Sequence, residues 1–212
     1  MIKTNKYWNK SIVVLLIIMF VPTIVPLAVQ ARPPPPILAP PYHYTSLGGR
    51  HDPPSSFHTA YADTSTGELF ITAWNYLISG DAWDFANAYA KLFKEFTVST
   101  TGSKIIDYSY AINGLINSGL AQCLVRLKIF VQRWTGWWIF WSWQTVTEHV
   151  ILEYWSTYRV VSESGSGSFV LNPPGTGSYR VAAELYGIAP ANALGGVYFS
   201  GSGRYARVSL RI

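Results

Sequence analysis

Leu120–Arg133, LAQCLVRLKIFVQR, is with Lys104–Asn113 one of the two stretches whose alternation reads most securely as a strand. Ala121, Cys123, Val125, Leu127, Ile129 and Val131 stand on one side, with Gln122, Arg126, Lys128 and Gln132 on the other. A period of two with one apolar side is what a strand needs when one face packs on a core and the other meets water. Upstream, Lys104–Asn113 sets Ile106, Tyr108, Tyr110 and Ile112 against Asp107, Ser109 and Asn113 in the same way. Phe57–Ala62 and Glu68–Trp74 flank Asp63-Thr64-Ser65-Thr66-Gly67, whose glycine can take positive φ, so this pair reads as a hairpin.

Further strands are expected at Trp137–Gln144, His149–Tyr158, Ser168–Leu171, Ser178–Leu185 and Tyr205–Ile212. The turn signals between them are Thr135-Gly136, Gly165-Ser166-Gly167, Pro173-Pro174-Gly175 and Gly201-Ser202-Gly203. Asp84–Phe96 carries both periods: Phe85, Tyr89, Leu92, Phe93 and Phe96 fit a helix, while Ala86, Ala88, Ala90 and Leu92 fit a strand. The β surroundings favour the strand, with one helix near 84–96 as the alternative. The expected fold is all-β, an antiparallel sandwich or jelly-roll-like barrel of about 8–10 strands.

The N-terminus carries an address. Lys3, Lys6 and Lys10 precede the apolar run Ile12–Val21, and Val29-Gln30-Ala31 provides small residues for signal-peptidase cleavage. Residues 1–31 thus read as a signal peptide, and the protein as extracellular or at the cell surface. If the leader stayed uncleaved it would be the one membrane contact, a use that Pro22 and Pro26 oppose by breaking a spanning helix. Residues 32–55 hold eight prolines and read as a Pro-rich spacer, leaving 56–212 as a single β-sandwich domain that starts near Ser56.

The formal charge of +5 includes the three leader lysines, so residues 32–212 carry 13 basic against 11 acidic side chains. That balance, without a basic cluster, excludes nucleic acid as a partner. Cys123 is the only cysteine, so no intrachain disulfide can form, and its place in the alternation predicts a buried, inert thiol. The one glycosylation sequon, Asn9-Lys10-Ser11, lies in the leader.

No catalytic or cofactor motif stands out. His43, His51, His58 and His149 lack metal-ligand spacing and read as surface or strand-face residues. Asp63 with Thr64, Ser65 and Thr66 reads as a hydrogen-bonded turn rather than a calcium loop. The acids Asp81, Asp84, Glu95, Asp107, Glu148, Glu153, Glu163 and Glu184 fit exposed strand faces or turns, so neither enzyme chemistry nor a cofactor is expected. Gly195-Gly196 and Gly201-Ser202-Gly203 do not precede a helix and read as hairpin turns.

What remains is aromatic: Trp134-Thr-Gly-Trp-Trp-Ile-Phe-Trp-Ser-Trp143, with Trp155 downstream. As one strand it would point Trp137, Ile139, Trp141 and Trp143 one way and Trp138 and Phe140 the other. That pattern suits a central strand covered on both faces, a platform for sugar rings, or a subunit interface. The candidate binding residues are Trp137, Trp138, Trp141, Trp143 and Trp155. The expected role is non-enzymatic binding or assembly at the cell surface, with a surface partner or a second copy of the chain as occupant. The alternative is a carbohydrate-binding module that presents tryptophans to a glycan.

Overall fold

The computed structural model describes residues 42–50, 56–76, 85–137 and 140–212, with the side chain of Trp137 left aside. The leader and the prolines of 32–41 lie outside the described residues. The described chain forms eleven strands and no helix. These are β1 (Tyr44–Arg50), β2 (Ser56–Asp63), β3 (Glu68–Asn75), β4 (Ala86–Val98), β5 (Lys104–Asn117), β6 (Cys123–Trp137), β7 (Phe140–Ser156), β8 (Tyr158–Leu171), β9 (Gly177–Ala189), β10 (Gly195–Phe199) and β11 (Tyr205–Arg211).

Two antiparallel sheets form a sandwich. The first has the order β1-β4-β9-β6-β7. In the second, β2 pairs with β3, and β5 carries β8 on its outer side. β10 and β11 lie end to end in one lane between β3 and β5, each pairing with both. Gly201-Ser202-Gly203 is therefore an interruption within a lane and not a hairpin turn. Gly195-Gly196 opens β10, a strand the sequence reading did not anticipate.

The alternation in β6 does what its parity demands. Cys123, Val125, Leu127, Ile129 and Val131 are fully buried and face Gly187, Leu185, Ala183 and Val181 of β9. Leu69, Ile71, Ile106, Ile116, Val197 and Phe199 from the second sheet complete the core. The ambiguous 84–96 segment is strand β4: its alanines Ala86, Ala88 and Ala90 are buried, and small side chains there let the sheets approach. The Asp63 turn forms as expected, with the carboxylate accepting from the Ser65 amide (2.7 Å), the Ser65 hydroxyl (2.6 Å) and the Thr66 amide (3.3 Å). These donors, the Ser65 hydroxyl first, hold the Asp63 carboxyl below its ordinary value. Gly67 takes φ 75° to close that turn.

Three expectations are corrected. Tyr44–Arg50, assigned to the spacer, is an edge strand on β4, because it lies between Pro41 and Pro53 and contains no proline, which leaves its amides free to pair. The stretches expected as separate strands at Trp137–Gln144 and His149–Tyr158 meet in the single strand β7, which runs from Phe140 to Ser156 while Trp137 ends β6 and Tyr158 opens β8. Bulges in β7 opposite Leu127/Lys128 and Val131/Gln132 break the period of two. Gly165-Ser166-Gly167 is no turn: Gly165 pairs with Tyr110 and Gly167 with Tyr108, and the phenol rings cover the positions where Cβ atoms would sit.

Burial pushes the Cys123 thiol up to about 11, against a smaller lowering from Ser118. At neutral pH almost no thiolate is present, and the sulfur is inaccessible. Native protein should react with a thiol reagent at least ~100-fold more slowly than urea-unfolded protein. Equal rates, measured by mass spectrometry over time, would show the β6 face to be inverted.

Candidate functional site

The outer face of the first sheet carries the site. At its centre lies Ala182 of β9, opposite Phe93 of β4 on one side and Phe130 of β6 on the other. The small residue lets the two rings meet edge to face over it, with centroids 6.2 Å apart. Both rings are buried although they point away from the core, because charged side chains roof them. Lys91 and Lys128 lie over Phe130 at 5.7 and 5.5 Å, and Arg180 lies over Phe93 at 4.4 Å.

The two lysines are fixed by Glu184, 2.7 Å from Lys91 and 3.6 Å from Lys128, while Lys128 also reaches Glu148 at 3.1 Å. Glu184 was expected on an exposed face; the lysine stems of the flanking strands bury it, and their ammonium groups compensate its charge. A carboxylate held by two cations is suited to scaffolding rather than to proton transfer.

Toward the β6–β7 tip the face becomes aromatic. Thr135-Gly136 is not a turn but part of the ladder: Trp137 pairs with Phe140, Gly136 with Trp141, Thr135 with Ser142 and Trp134 with Trp143. Opposed residues in an antiparallel ladder share a face. Trp134 stacks on Trp141 (6.3 Å, 16°) and tilts against Trp143 (5.2 Å). Trp134 and Trp141 are 40% and 54% exposed, so the stacked pair is reached by solvent. The segment is thus an edge hairpin, and the expectation of a central strand covered on both faces does not hold.

One polar chain joins this aromatic patch to the rest of the sheet. Arg180 donates through Nε to Gln132 Oε1 (2.7 Å) and through a terminal nitrogen to the Tyr44 hydroxyl (2.8 Å). Tyr44 donates to Glu95 (3.0 Å), and Gln132 donates to the Thr145 hydroxyl (3.3 Å). Glu95, Tyr44, Arg180, Gln132 and Thr145 come from β4, β1, β9, β6 and β7, so the chain crosses all five strands. The Arg180 guanidinium lies over the Trp143 ring at 4.4 Å. Burial raises the Tyr44 phenol, and Arg180 partly offsets this.

Of the five candidate residues, Trp141 and Trp143 are brought together here. Trp137 lies on the hairpin, and Trp138 lies outside the described residues. Trp155 is elsewhere: it pairs with Leu124 at the far end of β7, and its indole donates to Glu153 at 3.1 Å. Twelve residues of strand separate it from Trp143, roughly 40 Å. Trp134 belongs to the patch; the sequence shows it, but only the hairpin register reveals which rings it meets. Arg180, Gln132, Tyr44 and Thr145 were not anticipated.

The histidines are strand-side residues. His149 hydrogen-bonds the Tyr108 hydroxyl at 2.9 Å and stacks on Phe169, and His43 accepts from the Glu95 amide at 3.1 Å. His58 lies on β2, and His51 is outside the described residues. Among the described residues no three His, Cys, Asp or Glu side chains are grouped as metal ligands would be. A shallow depression of about 420 Å³ on the second sheet is lined by Ser65, Thr66, Ser109, Tyr110, Ala111, Arg207 and Ser209, and Arg207 is already paired with Glu68.

No protein-family model matches the chain, and no curated protein matches it in sequence. Among solved structures it is similar to the carbohydrate-binding module TmCBM61 in complex with β-1,4-galactotriose, at 12% identity and TM-score 0.32, over 80% of this chain and 89% of that one. It is also similar to a structure described under the promiscuous specificity of carbohydrate-binding modules from the β-sandwich superfamily, at 9% identity and TM-score 0.33, over 78% and 54%. A third likeness is to the enzymatically active domain of tailspike protein 4 of bacteriophage CBA120, at 13% identity and TM-score 0.31. It covers 78% of this chain and spans about a fifth (19%) of that one.

Proposed function

We propose that this is an exported, non-enzymatic β-sandwich protein that binds a saccharide on the outer face of its first sheet. The observation that carries the reading is the patch of exposed Trp134 and Trp141 with partly buried Trp143, beside the hydrogen-bonded Arg180–Gln132–Thr145 chain. Sugar rings present apolar C–H faces and an equatorial rim of hydroxyls. Indole faces take the first, and fixed amide, hydroxyl and guanidinium groups take the second. Because the polar groups are already oriented by one another, little conformational freedom is lost on binding.

A glycan array probed with the wild-type protein tests this. Binding to one or a few glycans, abolished by unlabelled competitor, is expected. Absence of binding to every glycan on the array would contradict it.

A further inference from the structure

β8 forms one edge of the second sheet, and among the described residues no strand pairs with its outer side. An unpaired strand edge exposes backbone donors and acceptors, and stable proteins guard such edges with bulges, prolines or lysines. β7, one of the two edges of the other sheet, is guarded by its two bulges. β8 is not: all 14 residues pair one to one with β5 without a register shift, and the strand contains no proline and no lysine. Its two charged side chains neutralise each other, Arg159 lying 3.2 Å from Glu163, and Glu163 also accepts from Tyr154 at 2.7 Å. The apolar residues on its outward side sit at its two ends: Tyr158 (66% exposed) and Val160 (61%) at one, Val170 (56%) at the other, next to Ile105 (62%) of β5.

We propose that the β8 edges of two copies of this chain pair antiparallel about a two-fold axis at Ser164, joining the second sheets into one continuous sheet. In this register Tyr158 meets Val170 and Ile105 of the other copy, so the apolar ends cover each other. Val160 falls opposite Ser168, Glu163 opposite Gly165 and Arg159 opposite Phe169. No like charges meet. The surface is separate from the tryptophan patch, so the saccharide reading can fail without touching it.

Sedimentation velocity on the full chain tests the pairing. Wild type is expected to be dimeric at high micromolar concentration. Val160→Lys, a change at an exposed side chain, should weaken the dimer by about tenfold or more while far-UV circular dichroism stays native. Mixing Val160→Lys with Ser168→Glu should restore association, because the register places the new lysine against the new glutamate. A wild-type monomer, or a dimer whose dissociation constant neither variant changes, overturns the proposal; the latter result assigns the contact to another surface or to the leader.

Discussion

Cys123→Asp should abolish the fold, whereas Cys123→Ala should cost only about 1 kcal/mol. The sulfur is fully buried on the inner side of β6, level with Val125 and Leu127. Ser118 is the nearby hydroxyl, and its proton is committed to the carbonyls of Ala121 and Ala193. A carboxyl group there loses hydration without gaining a donor, at a cost of roughly 2–7 kcal/mol even when neutral. That is comparable with the whole stability of a domain, about 5–15 kcal/mol. Urea unfolding followed by circular dichroism checks both variants: a Cys123→Asp protein with a wild-type midpoint would mean that this layer is wet.

Trp143→Ala should carry the largest loss of saccharide affinity, about 2 kcal/mol or more, a factor of roughly 30. Trp143 lies partly buried between Trp134 and Arg180, so its removal takes away a stacking surface and the support of the guanidinium together. Arg180→Lys keeps the charge but loses the fork that joins Gln132 to Tyr44, and should cost less than Trp143→Ala. Trp155→Ala serves as the contrast. It removes an exposed indole from the same face at the far end of the strand, and affinity should not change. Titration calorimetry with the glycan selected on the array measures all three; an effect of Trp155 equal to that of Trp143 would displace the site.

Much of the sandwich was legible from residue alternation alone. The faces of Lys104–Asn113 and Leu120–Arg133 and the hairpin around Asp63 follow from burial on one side and water on the other. Alternation fails where the backbone departs from a uniform ladder. The bulge between Val131 and Gln132 inverts parity in the middle of β7, which made one strand look like two. Gly165 and Gly167 resemble turn residues in sequence, yet their role is to leave room for Tyr110 and Tyr108 across the ladder. Nothing local distinguishes those two uses of glycine.

The site was half legible for a related reason. The tryptophan density of 134–143 is conspicuous, but whether it forms a covered strand or an open hairpin depends on where the chain turns. That Arg180 meets Trp143 depends on β9 pairing with β6, and that Tyr44 joins them depends on β1 pairing with β4. Strand order and register assemble the polar chain, and neither leaves a local trace in composition or spacing.

Fluorine NMR of protein labelled with 5-fluorotryptophan tests the central claim most directly, since each indole reports separately. On titration with the array-selected glycan, the resonances assigned by single substitution to Trp134, Trp141 and Trp143 should shift together and saturate, while those of Trp74 and Trp155 stay in place. Shifts confined to Trp74 or Trp155, or saturable binding that moves none of the three, would contradict a saccharide site on the outer face of the first sheet.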